Sequence, residues 1–489
     1  MSSLFIQGTW VTASGGATRD VINPYDRSVA RTVDEGDQAD ARAAVLAARA
    51  AFDDADWRTW TARGRGDLLR RVAELLQRDR EDIARLETLD TGKTLVESRV
   101  DVDDVTGVFR YYASRAEADP GRLVDAGTPA VRSRVVHEPV GVCALITPWN
   151  YPLLQASWKV APALAAGNTL VIKPSEITPL TTIAMVRLIE EAGVPAGVVN
   201  LVLGPGATVG AALVDDPRVD LVSFTGGLDT GRQIMRSAAE HVTTVALELG
   251  GKNPNIVFAD ADLETAIDYA LIAAFLHAGQ VCSAGTRLIV ADEVHDDFVA
   301  GLAERAEAIR LGSGFDPDAE CGPLVSAEHR AKVESYVELG LREGARLVAG
   351  GKRPDEPGLR DGYFYRPTVF DDCRSDMRVV QEETFGPIVT VERFTEEAAA
   401  IELGNDTDYG LAGAVWTSDP GRAERVARSL RHGTVWINDF GPYLPQAEWG
   451  GFKRSGIGRE LGHEGLAEYQ QAKHIYENTE PAPQRWFAG

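Results

Sequence analysis

Cysteine is scarce in this 489-residue chain: Cys143, Cys282, Cys321 and Cys373 are all it has. Their wide, irregular spacing excludes a disulfide framework and a C-x-x-C metal site, and it fits a reducing cytoplasm. No metal site is expected. Basic residues are also in short supply, 50 Lys and Arg against 73 Asp and Glu, giving a formal charge of −23. That balance argues against nucleic acid or an anionic membrane as partner, because both select basic patches. An acidic, well-solvated surface accounts for the excess without any cationic partner. Met1 to Gly8 carries no basic-then-apolar leader, and no apolar run is long enough to span a bilayer. A soluble, cytoplasmic protein is expected. Low-complexity tracts and internal repeats are absent, and so is the usual G-x-G-x-x-G dinucleotide signature.

What is present is enough apolar sequence for two or three subdomains, more than one core usually organises. Residues 1 to 30 read as short strands and turns, with Asn23-Pro24-Tyr25-Asp26 as a turn former. From Asp37 the pattern becomes helical, Leu68, Leu69, Val72, Leu75 and Leu76 recurring at helical spacing, and helices run to about Ala118. The break Asp119-Pro120-Gly121 leads to an alternating, strand-like Val131 to Val136. Beyond Val142, apolar strands alternate with helices: Val142–Ile146, helix 153–164, Thr169–Ile172, helix 181–192, Val199–Leu203, a short helix 208–214, Asp220–Phe224 and Val242–Glu248. After Gly251 the alternation restarts with Asn255–Phe258, a helix 263–276 and another 294–311. Such strands separated by helices indicate parallel sheets covered on both faces. The expected fold class is α/β, with two doubly wound open parallel-sheet domains plus a β-arm.

One cysteine stands apart from the others. In Gly279-Gln280-Val281-Cys282-Ser283 it lies on a polar break between an apolar helix and the strand-like Leu288-Ile289-Val290, where a thiol can face a cleft. An isolated cysteine is more often a small buried hydrophobe. Its company reverses that reading. Glu248 ends a strand directly before Gly250 and Gly251, which admit close approach of another chain or a ligand. A carboxylate in a partly dry pocket, its pKa raised by desolvation, can serve as base for a thiol. Pro148-Trp149-Asn150-Tyr151-Pro152 follows another strand and supplies a fixed amide donor.

With P-W-N-x-P, E-L-G-G-K and G-Q-x-C in this order and at these separations, essentially the whole chain resembles the NAD(P)-dependent aldehyde dehydrogenase superfamily. The resemblance implies a nucleotide-binding domain over 1–120 and 140–249 and a catalytic domain over 250–449. It implies an oligomerisation arm and tail over 121–139 and 450–489, in a homodimer or homotetramer, with the tail strand against a neighbouring subunit. Cys282 is then the nucleophile, and the Asn150 amide with the Cys282 N–H holds the oxyanion. Glu248 activates water, and Lys159 and Glu460 relay protons from it. For the cofactor, Lys173 and Glu176 hold the adenosine ribose; a carboxylate there repels a 2′-phosphate, so NAD is favoured over NADP. Thr225, Gly226 and Gly227 open a helix whose free N–H groups suit a pyrophosphate. Most members carry serine where this chain has Gly227. Gly206, Ile146, Thr147, Trp149 and Leu249 complete the cofactor contacts, and Glu383 and Phe385 meet the nicotinamide ribose.

The stretch Trp449 to Gly462 and the Trp486-Phe487 terminus are most similar to the betaine aldehyde dehydrogenase branch and its aminoaldehyde relatives. A trimethylammonium group has no N–H to donate, so aromatic faces recognise it. Tyr151 and Trp158, two helical turns apart, with Trp449 match that aromatic box, although aromatics at helical spacing also simply pack cores. Leu276 stands where many plant relatives carry another aromatic. Asp101 and Asp104, three apart on a helix, either attract a cationic aldehyde or are surface charge. Three functions follow: oxidation of betaine aldehyde, oxidation of another aldehyde such as 4-aminobutyraldehyde or an uncharged one, and, remotely, a non-catalytic NAD-binding protein.

Overall fold

The computed structural model describes residues 2–118 and 121–487, so Asp119 and Pro120 of the expected break lie outside the described residues. Two parallel sheets dominate. In the first, Thr244–Leu249, Leu221–Gly226, Val142–Ile146, Thr169–Lys173 and Val199–Leu201 run parallel in that spatial order. Antiparallel strands close both edges: Gly456–Ile457 beside Thr244–Leu249, and Leu4–Ile6 with Thr9–Val11 beside Val199–Leu201. In the second sheet, Thr368–Asp371, Ile388–Phe394, Arg287–Ala291, Pro254–Val257, Ala412–Trp416 and Thr434–Ile437 are parallel. The remaining edge is the antiparallel Arg346–Ala349. Val142–Ile146, Thr169–Lys173 and Arg287–Ala291 are buried along their whole length, the pattern of strands covered on both faces.

The helix Pro152–Ala166 shows why the first sheet is so apolar beneath its catalytic end. Proline opens it, every residue is buried, and Gly167, at φ 97°, stops it. Burial all round marks a core helix rather than a surface one. Against it packs Leu95–Ala116, begun by a capping box in which Thr94 and Glu97 satisfy each other's backbone N–H groups.

Several element ends differ from the sequence expectation, Val199–Leu201 stopping two residues short of Leu203 among them. The helix from Leu263 stops at Phe275, one residue early, because His277 and Ala278 adopt φ of 48° and 54° and Gly279 follows at 71°. A Cβ at Gly279 would lie 2.3 Å from the Gly386 carbonyl oxygen, so the turn is closed against a second backbone. The helix from Asp292 ends at Ala308 rather than Leu311, and the segment expected as a helix over 208–214 begins as a wider π turn, Gly206–Gly210. The tail, expected to be extended with its strand against a neighbouring subunit, has Gln470–Asn478 paired antiparallel along the full length of Val131–Pro139 of its own chain, with Arg122–Val124 on the far side. Among the described residues no helix is long and apolar enough to cross a membrane.

Arg287, fully buried at the start of its strand, donates to Glu392 from Nε at 2.5 Å and Nη2 at 3.2 Å, tying two neighbouring strands of the second sheet. Arg287→Met leaves Glu392 charged and unpaired in the interior. A loss of about 3–5 kcal/mol in urea unfolding is expected, and Arg287→Met with Glu392→Leu should recover most of it.

Candidate active site

The carboxyl ends of the first sheet face the loops that enter the amino ends of the second, and three adjoining cavities meet there. A slot of about 620 Å³ runs past Ile146, Thr147, Trp149, Lys173, Glu176, Gly206, Thr225, Gly226 and Gly227. A second, about 210 Å³, holds Asn150, Glu248, Leu249, Cys282, Glu383 and Phe385. The third, about 360 Å³, is lined by Asp101, Asp104, Tyr151, Trp158, Leu276, Cys282 and Trp449. Cys282 thus opens on the last two, and Trp149, Thr225, Gly226 and Gly227 join the first two.

The nucleophile loop is held by backbone-directed amides. The Asn150 side chain donates to the Gln280 carbonyl at 2.8 Å, which fixes its amide and leaves the second N–H for the cavity. Gln280 donates to His277 O at 3.0 Å and accepts from Val325 N–H at 2.9 Å. Asn253, the residue after E-L-G-G-K, donates to Cys282 O at 2.9 Å and Ala284 O at 3.0 Å. Glu97 reaches back from its capping box to accept the His277 N–H at 2.7 Å. Neither Asn253 nor Glu97 was singled out in the sequence; adjacency to the motif was the only signal for Asn253, and Glu97 offered none.

Glu248 sits on Thr244–Leu249, one strand in from the edge, and neither carboxylate oxygen has a hydrogen-bond partner. Burial drives its pKa well above the ordinary value, and Glu460 nearby adds to the rise. The Cys282 thiol is likewise pushed up, to about 12, by burial and then by Glu248 and Glu383. Lys159, fully buried, donates to Ser223 Oγ at 3.1 Å and pairs closely with Glu460. Glu460 is itself locked by paired backbone bonds to Trp449, both 2.7 Å. On the other side, Glu383 accepts the Gly251 N–H at 3.1 Å, and burial lifts its pKa to about 7 against Lys332 and that N–H. A Cβ on Gly250 would lie 1.9 Å from its carboxylate, which explains the first glycine of E-L-G-G-K.

In the slot, Lys173 Nζ bonds Glu176 at 3.2 Å, and Glu176 accepts the Gly206 N–H at 3.5 Å. The hydroxyls of Thr147 and Thr225 are buried without partners, and a Cβ on Gly206 or Gly227 would meet nothing within 4 Å. An open cradle, two orphan hydroxyls and the free N–H groups of helix Leu228–Ala239 fit a dinucleotide. His329 was missed in the sequence. It packs on Trp149 and Phe385 and donates from Nε2 to the Phe385 carbonyl at 2.7 Å.

The third cavity gathers the aromatics. Trp158 packs edge-on against Tyr443 at 5.1 Å and Trp449 at 5.9 Å, and Tyr151 against His277 at 5.5 Å. Tyr443, on an irregular loop with no periodic signal, was not anticipated. Leu276 is 42% exposed at the rim. Asp101 requires correction: it is buried, not surface charge, and it pairs with Lys93 at 2.6 Å.

A sequence profile described as "Aldehyde dehydrogenase family" matches residues 10–475. The chain belongs to the aldehyde dehydrogenase family. It is 60% identical over 485 residues to the betaine aldehyde dehydrogenase of Bacillus subtilis (strain 168), covering 99% of both chains. It is 41% identical over 491 residues to aminoaldehyde dehydrogenase 2 of Zea mays, covering 99% and 97%. Among solved structures it is similar to Staphylococcus aureus betaine aldehyde dehydrogenase in complex with NAD+, with a TM-score of 0.99, 56% identity, and 100% and 97% of the chains covered.

For this aldehyde dehydrogenase the left-handed turn ahead of Cys282 depends on the Glu97 carboxylate. Glu97→Ala is expected to lose about 1 kcal/mol of stability with the cap and about ten- to a hundredfold in kcat as the loop shifts. Glu97→Gln, whose amide oxygen still accepts from His277, should recover most of the rate in steady-state assays.

Proposed function

We propose that this enzyme oxidises betaine aldehyde to glycine betaine with NAD, through a thioester on Cys282. The observation that carries the reading is the position of Cys282 between a dinucleotide-shaped slot and an aromatic pocket walled by Tyr151, Trp158, Tyr443 and Trp449. Aromatic faces attract a trimethylammonium at about 0.5–2 kcal/mol each. The relatives' names support the same substrate.

Cys282 gives up its proton and its sulfur attacks the aldehyde carbon from the mouth shared by the two cavities. Glu248, its oxygens unpaired and its pKa raised, takes the proton in this reading. The free N–H of Asn150 and the Cys282 backbone N–H stabilise the resulting oxyanion. NAD, when bound, accepts the hydride and leaves a thioester. Glu176 and Lys173 would hold its adenosine ribose, Thr225 to Gly227 its pyrophosphate, and Glu383 with Phe385 its second ribose. Glu248 passes the first proton on towards Glu460 and Lys159, which lie behind it, takes another from the water that hydrolyses the thioester, and returns that one to the Cys282 sulfur as the acid leaves.

Residues 1–120 and 140–249 form the cofactor domain of this reading, and 250–449 the catalytic domain. The three-stranded arm, with Leu123 88% and Tyr476 61% exposed, supports a homodimer or homotetramer. All four cysteines are free, which supports a reducing cytoplasm. An aminoaldehyde is the second reading, favoured by Asp104, a carboxylate in the pocket without an ion-pair partner among the described residues.

Initial rates of NADH formation with betaine aldehyde, 4-aminobutyraldehyde and hexanal should give the highest kcat/KM for betaine aldehyde; a higher value for hexanal would sink the reading. Cys282→Ala should abolish turnover, and Asn150→Ala should lower kcat by about 10²- to 10³-fold. The folded-state pKa of Glu248 is raised, so its basic form gains population as pH rises; kcat should climb on the alkaline side, and Glu248→Gln should remove the climb. Glu383 is ionised only above about 7, so the KM for NAD should fall as pH rises through that value, an effect absent in Glu383→Gln.

A further inference from the structure

The third cavity carries two carboxylates that are not equivalent. Asp101 is buried and already answered: Lys93, with no exposed surface, donates to it at 2.6 Å and to Glu87 at 3.3 Å. The same ammonium lies 4.0 Å from the centroid of the Tyr151 ring. A cation resident there leaves that ring less receptive to a second one. Asp104 has no cationic partner among the described residues. Its Oδ2 accepts the Tyr443 hydroxyl at 2.6 Å, and the Tyr443 ring packs on Trp158 in the wall that also holds Cys282. A phenol that donates to a carboxylate gains electron density, which strengthens the pull of its face on a cation.

We propose that Asp104, acting through the Tyr443 hydroxyl, sets the preference of this pocket for a positively charged aldehyde, while Asp101 serves only as counter-ion to Lys93. Asp104 is on this account a positioning and polarising residue. It holds one ring in place and makes its face more negative, and it takes no part in the chemistry at Cys282. The proposal rests on the betaine aldehyde reading, but it adds which charge the substrate senses and by what route. Of the acidic side chains in this region, Glu87 and Asp101 pair with Lys93, whereas Asp104 has no ion-pair partner among the described residues.

The test compares betaine aldehyde with 3,3-dimethylbutanal, its uncharged isostere, as the ratio of kcat/KM values. In Asp104→Asn, which keeps an acceptor for Tyr443, the ratio should fall about three- to tenfold, through a higher KM for the cation. The thermal midpoint should stay at the wild-type value, which reports a folded enzyme. Tyr443→Phe should lower the ratio similarly, and Asp104→Asn should lower it no further in that background. Asp101→Asn should depress both aldehydes together and lower the thermal midpoint, keeping the ratio within about twofold. An unchanged ratio in Asp104→Asn overturns the proposal. So does an undiminished effect of Asp104→Asn in the Tyr443→Phe background, which would make Asp104 a direct counter-ion, or a fall in Asp101→Asn equal to that in Asp104→Asn. A wild-type ratio near one would sink the betaine aldehyde reading instead; the change on substitution, whatever the starting ratio, decides the role of Asp104.

Discussion

Two glycines let the loops around the nucleophile close on one another, and the rest of the site depends on that contact. A side chain at Gly250 would strike the Glu383 carboxylate at 1.9 Å, and one at Gly279 would strike the Gly386 carbonyl at 2.3 Å. Because neither position bears a side chain, Cys282, Glu248 and Glu383 share a cavity of only about 210 Å³. Strand ends of open α/β sheets place ligands in the crevice beyond their carboxyl termini. Here one such crevice, that of the first sheet, meets the loops entering the amino ends of the second, and the thiol opens both on the substrate pocket and on the small cavity that adjoins the dinucleotide slot.

That compression makes charge expensive, and the structure manages it unevenly. Lys93 answers Asp101 and Glu87, Lys159 answers Glu460, and Arg287 answers Glu392, each in the buried interior. Glu248 and Glu383 receive no cation of their own, and burial therefore raises the pKa of both. Perturbed carboxylates left unpaired beside a nucleophile are what acid–base chemistry requires. The paired ones serve the framework.

Much of the fold was legible because it is written locally. Apolar runs separated by helical periodicity indicated parallel sheets, and the helix Pro152–Ala166 could be placed from its proline, its composition and its terminal glycine. The ends that were misplaced are those where a distant backbone overrides propensity. Phe275 ends its helix because Gly386 and Glu97 claim the turn that follows, and neither is near it in sequence. The tail likewise read only as extended, since pairing of Gln470–Asn478 with Val131–Pro139 joins segments more than three hundred residues apart.

By itself, then, the sequence determined the chemistry of the parts: a thiol after a glycine, a carboxylate before two glycines, an amide after a strand, and aromatics two turns apart. Motif spacing and residue type suffice there because each group is placed by the few residues around it. Only the tertiary structure decided which charges are free. Asp101 and Asp104 share one helix face and look alike in sequence, but Lys93 reaches one and Tyr443 the other. Burial and partner are properties of packing among segments, and they fix both the protonation of a carboxylate and what a substrate can feel of it.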